Sequence, residues 1–125
     1  MKIISAINAM ISKPNKIGKI FGDPENSKFY FFVFDGKYVW SIAENKGVYY
    51  LCLYPQRKVA TLSAEDYAKM LSRMRDEEQN FEDSVCYNTK ELKTQEAVES
   101  FTELFKLIQE RQYGVDAMLD DIIGS

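Results

Sequence analysis

Histidine does not occur in this sequence. Its absence excludes Ser-His-Asp and Cys-His nucleophilic arrangements, histidine-containing zinc sites and the commonest general base near neutral pH. Cysteine is nearly as scarce, with Cys52 and Cys86 the only two. No Cys-x-x-Cys or other zinc spacing occurs, and neither cysteine has a neighbour that lowers its pKa. Each therefore reads as a small buried hydrophobe rather than a nucleophile. Two cysteines in 125 residues make no disulfide framework, and a reduced compartment follows. Long apolar runs are missing too: the longest is Phe29 to Phe34, far short of the ~20 residues of a membrane span. The apolar stretch Ile3 to Ile11 is broken by Ser5 and Asn8, with no small-residue cleavage site after it, so it reads as a helix rather than a secretory leader. The expected location is the cytoplasm. Glycines are isolated, and Gly18, Gly22, Gly36 and Gly47 each have a turn explanation, so no phosphate-cradling loop is present.

Carboxylates remain as candidates for chemistry. Asp76, Glu77, Glu78, Glu82 and Asp83 form one cluster, and Asp116, Asp120 and Asp121 another. Neither has the spacing of a calcium loop, and both read as solvated helix surface, so no metal, cofactor or catalytic residue is expected. The chain is read as a non-enzyme. Its net charge of −3 gives no overall attraction to nucleic acid. The charge is unevenly placed, since Lys2, Lys13, Lys16 and Lys19 precede the first acidic residue, Asp23.

What the chain has in quantity is aromatic residues, 14% of the sequence. They concentrate between Lys28 and Tyr54 in three β-rich runs separated by turn signals. The Asp35-Gly36 pair suits a two-residue type I′ loop. A loop of that length sets Phe34 opposite Lys37, Phe32 opposite Val39 and Phe31 opposite Trp40. One face then holds Phe29, Phe31, Val33, Tyr38, Trp40 and Ile42, and the other Tyr30, Phe32, Phe34, Lys37, Val39, Ser41 and Ala43. A second turn at Glu44 to Gly47 is expected to place Tyr49, Leu51 and Leu53 with Trp40, leaving Tyr50, Cys52 and Tyr54 on the other face.

Around this meander the periodicity predicts helices. Ile3, Ile4, Ile7, Met10 and Ile11 form a first stripe, ended by Pro14. Lys16 to Phe21 is ambiguous between an edge strand and irregular chain. Ser63 with Asp66 forms a capping box, with Leu62 placed to pack on Tyr67, and opens a second helix burying Tyr67, Met70, Leu71 and Met74. That helix ends in water at Asp76 to Asn80. Val85 to Tyr87 has the composition of a short strand. A third helix runs from about Thr94 to Gln112, stopped by Gly114, and a short last one carries Val115, Met118, Leu119, Ile122 and Ile123. The fold class is α+β, one domain over residues 1–125: an antiparallel meander of three to four strands packed against about four amphipathic helices.

The aromatic residues Tyr30, Phe32, Phe34, Tyr50 and Tyr54 form the expected partner-binding face, since Tyr-rich, charge-poor surfaces resemble interface centres. The chain is accordingly expected to act by occupying another protein, as an adaptor, chaperone or inhibitor does, the acidic surfaces suiting a basic partner. The alternative is nucleic-acid binding, with Lys13, Lys16, Lys19, Arg57 and Lys58 as a phosphate track beside the aromatic strands. Self-pairing through Val115, Met118, Leu119 and Ile122 is a further expectation, because the last helix is more apolar than a monomer readily covers.

Overall fold

The computed structural model describes residues 1–57, 62–75 and 84–125. Strands β1 (Ile17–Asp23), β2 (Asn26–Phe34), β3 (Tyr38–Asn45), β4 (Val48–Leu53) and β5 (Val85–Asn88) form one antiparallel sheet, each beside its neighbour in sequence. Helix α1 (Lys2–Ser12) precedes the sheet and α2 (Ala64–Arg75) lies between β4 and β5. Helices α3 (Thr89–Leu92), α4 (Gln95–Tyr113) and α5 (Val115–Gly124) follow. The α+β class and, roughly, the element order are as the patterning predicts, with five strands where three to four are expected. The ambiguous segment after Pro14 is an edge strand, β1, and the short Val85 run forms the opposite edge, β5.

The register of the first hairpin differs from the expectation. Asp35 and Gly36 both have positive φ (56° and 65°), as a type I′ loop demands, and the Lys37 N–H donates to the Phe34 carbonyl at 3.1 Å. The ladder resumes one residue later, however, pairing Phe34 with Tyr38, Val33 with Val39, Phe32 with Trp40 and Phe31 with Ser41. Lys37 is left between the strands, and one extra residue turns β3 over relative to β2. The expected pairs Phe34–Lys37, Phe32–Val39 and Phe31–Trp40 are corrected accordingly. Tyr30, Phe32 and Phe34 share a face with Trp40 and Ile42, while Phe29, Phe31 and Val33 share the other with Val39. The second hairpin turns at Lys46 and Gly47, with φ of 52° and 81°. It pairs Trp40 with Leu53 and Ile42 with Leu51, so Tyr49, Leu51 and Leu53 do join the Trp40 face.

Each face of the sheet has its own core. Over the first lie α1 and α4, contributing Ile4, Ile7 and Met10 and Phe101, Leu104 and Ile108, all buried. The Ser100 hydroxyl donates to Asn8 Oδ1 at 2.9 Å and ties the two helices together. Over the second face lies α2, whose Tyr67, Met70 and Leu71 pack on Phe31, Val33, Val39 and Tyr54. The capping box is formed: the Ser63 N–H donates to the Asp66 carboxylate at 2.8 Å and the Asp66 N–H to Ser63 Oγ at 3.3 Å. Leu62 packs against the same cluster. The side chain of Met74, and the whole of Asp76 to Asp83, lie outside the described residues.

Tyr67 stacks on Phe31, with ring centroids 4.8 Å apart, and its hydroxyl donates to the Lys19 carbonyl at 3.3 Å. Burial pushes this hydroxyl's pKa from 10.0 up to about 12. The folded state thus keeps the proton where the unfolded chain has lost it. Stability fully present below pH 10 declines as the pH rises from about 10 towards 12. Urea midpoints measured across that range are expected to fall, and Tyr67→Phe to flatten part of the slope. A slope identical in the Phe variant would refute the assignment.

Cys52 and Cys86 are ladder partners across β4 and β5 and are joined by a disulfide. This corrects their reading as separate buried hydrophobes: Cys52 is half-buried and Cys86 exposed. They lie 34 residues apart and meet only because the chain, after α2, returns to the free edge of β4. Helix α3 was not anticipated. Its signal is present in Asn88, whose side chain accepts from the Glu91 N–H at 2.8 Å, an N-cap with an acidic residue three positions on.

Candidate functional site

The five aromatic residues expected to form one binding face are divided by the sheet. Tyr30 and Phe32 are buried and Phe34 half-buried, all in the core beneath α1 and α4. Tyr54 is buried on the opposite face, its hydroxyl 2.9 Å from that of Ser41. Tyr50, four residues earlier and within β4, is the one of the five that is exposed, at 38%. The Tyr30 hydroxyl donates to the Ser27 carbonyl at 2.8 Å and accepts from Gln109 at 3.3 Å. Burial, and then the neighbouring Tyr113 hydroxyl, hold its pKa above the ordinary value.

The basic residues follow the chain from α1 into β1 and beyond. Lys13 caps the C-terminus of α1, and Lys16 lies 3.7 Å from the Asp35 carboxylate. Lys19 sits at φ 50° in an irregularity of β1 between Gly18 and Phe21, and Arg57 follows β4. Lys58 lies outside the described residues.

Among the described residues, the largest group of exposed apolar side chains belongs to α5. Helix α4 ends where Gly114 takes the left-handed conformation (φ 65°) and its N–H donates to the carbonyls of Arg111 and Glu110. That residue alone separates the two helices, so the end of α4 aims α5. Val115 is half-buried, whereas Met118, Leu119, Ile122 and Ile123 are 58%, 51%, 68% and 81% exposed. At helical spacing these four form one stripe. Asp121 lies one turn from Met118 on one flank, and Asp120 one turn from Ile123 on the other. No Lys or Arg follows Arg111. The helix therefore presents an apolar ridge with a carboxylate on either side.

A second feature had no expectation attached to it. Ala6, Ala9 and Met10 of α1, with Phe34, Trp40 and Leu53 of the sheet, enclose an open groove of about 290 Å³, and the half-exposed Tyr38 forms a further wall. The sequence signal is Lys2, Ala6, Ala9 and Lys13, which fall on one stripe of α1 with small residues in the middle and lysines at the ends. Trp40 is 8% exposed, stacked parallel to Phe32 with centroids 6.5 Å apart. Its Nε1–H is buried with no hydrogen-bond partner among the described residues.

The groove is lined by apolar side chains with Tyr38 at one wall, and the ridge is apolar between its two flanking carboxylates. Among the described residues no three Cys, Asp or Glu side chains gather as a metal site, and no helix is long and apolar enough to cross a membrane. No protein-family model, curated protein or solved structure matches the chain.

Proposed function

We propose that the protein is a binding module that acts by occupying another protein, with α5 as the docking element and no catalysis of its own. The observation that carries this reading is the exposed ridge Met118, Leu119, Ile122 and Ile123, an apolar strip flanked by Asp120 and Asp121. Its acidic flanks select a partner whose groove is apolar in the middle and basic at the rim. Adaptors, chaperones and inhibitors all work by such occupation. The cytoplasm is the compartment expected from the sequence. The Cys52–Cys86 bond, however, is of the kind that cytosolic thiol pools reduce and oxidising compartments preserve. Thiol trapping in the native cells is the direct check: a bond found intact there places the protein in an oxidising compartment, and a reduced pair keeps it in the cytoplasm.

The test of function is affinity capture by the wild type beside a Leu119→Asp, Ile122→Asp variant. Both positions are exposed, so the variant is expected to keep the wild-type circular dichroism. A partner anchored by two such residues should lose affinity by about 30-fold or more, the scale of an interface hot spot. A partner captured equally by both proteins would remove α5 from the site.

A further inference from the structure

The complement that α5 requires is present on this chain itself. The groove beside α1 is apolar in the middle, through Ala6, Ala9, Trp40 and Leu53. Lys2 and Lys13 stand exposed at the two ends of α1, and Lys37 is exposed beside Tyr38. No acidic residue precedes Asp23, and the nearby Asp35 is already paired with Lys16 at 3.7 Å. Alanine at positions 6 and 9 lets another helix approach α1 closely. The α5 ridge brings side chains of the right size and carboxylates of the opposite sign to those lysines.

We infer that α5 of one copy docks in the α1 groove of a second copy, so that the protein self-associates head to tail. The inference rests on the reading of α5 as a docking element and adds the identity of an occupant. Charge decides against the simpler arrangement in which two α5 helices pair with each other. Each carries three aspartates and no cation, so an α5–α5 contact collects carboxylates along both rims with nothing to neutralise them. Docking into the α1 groove matches carboxylate with ammonium. Four ridge residues make a small contact, of the size class of weak, transient associations, so the self-association is read as reversible and concentration-dependent. Ridge and groove are different surfaces of one chain. The contact is therefore heterologous, and copies add until a ring closes or concentration limits growth.

Sedimentation velocity over a micromolar to submillimolar concentration series tests this, using wild type, Leu119→Asp and Ala9→Glu. Leu119 and Ala9 are both exposed, so each variant is expected to fold as the wild type does. The wild type should grow in mean mass with concentration, less so in high salt, while each variant alone stays monomeric. An equimolar mixture of the two variants should form a dimer and nothing larger, because one intact ridge meets one intact groove. Emission from Trp40, the one tryptophan, should shift in the mixture but in neither variant alone. A monomeric wild type throughout the series overturns the inference, as does a dimer of Ala9→Glu alone, which would mean α5–α5 pairing. If the wild type stays monomeric while Leu119→Asp still abolishes capture of another protein, self-docking fails and the proposed function stands. Self-association without any such loss of capture has the opposite meaning.

Discussion

Reducing the Cys52–Cys86 bond is expected to lower the unfolding free energy by about 3–4 kcal/mol. The bond closes a loop with a sequence separation of 34, and the chain-entropy relation gives roughly that value for a loop of this length. The loop contains α2, which supplies Tyr67, Met70 and Leu71 to the second core, and ends on β5, an edge strand of only four residues paired to β4 alone. Without the crosslink, β5 keeps its place through that short ladder, the packing of Tyr87 on the first core and the bond from the Tyr49 N–H to the Thr89 hydroxyl. Urea titrations of the oxidised and reduced protein should therefore differ in midpoint by about 1–4 M, taking m-values ordinary for small domains. A Cys52→Ala, Cys86→Ala variant should follow the reduced curve and become indifferent to reductant. A loss below 1 kcal/mol in both experiments would show that the bond constrains little that the ladder does not already hold.

Phe31→Ala is expected to cost about 3–5 kcal/mol, the range for removing a fully buried aromatic ring. Phe31 is fully buried and contacts three other rings: Tyr67 at 4.8 Å, Phe29 at 5.1 Å and Tyr54 at 5.8 Å between centroids. Truncation opens a cavity between β2 and α2 and strips the stacking partner from Tyr67. By contrast, Tyr50→Ala should stay within about 0.5 kcal/mol, as surface substitutions do. Thermal or urea unfolding of the pair measures both. Equal, small effects would mean that α2 does not seal the second face of the sheet.

The helices were legible because each of their faces meets one environment. In α4, Phe101, Leu104, Phe105 and Ile108 recur at helical spacing and all are buried, and Thr94 and Gly114 mark its ends with the capping residues physics prefers. Strand β2 was legible as a strand but not in register. Every residue from Phe29 to Phe34 is apolar, because the strand lies between two cores, and a pattern without alternation fits either face equally. The direction of β3 then depended on whether Lys37 belonged to the loop or to the ladder, which no local preference decides. That single residue is why Tyr30 and Tyr54, expected on one open face, are buried on opposite sides. Substituting them would unfold the protein rather than probe binding. The disulfide was illegible for a different reason: it depends on where α2 returns the chain. The exposed ridge of α5 could be anticipated from an apolar stripe wider than a monomer readily covers, whereas the α1 groove needs the sheet to supply its other wall.

The sequential order of the strands bears on how the chain acquires its shape as it is made. Strands β1 to β4 are complete at Leu53, and of this meander only the outer edge of β4 waits for a strand made later, β5. Its contacts are local, and such topologies form early and quickly. The first core, however, needs Phe101, Leu104 and Ile108 of α4. Between the emergence of Leu53 and that of Ile108 the sheet holds Tyr30, Phe32 and Ile42 beneath α1 alone. During that interval the nascent chain has its greatest tendency to aggregate, and holdase chaperones have most to offer it.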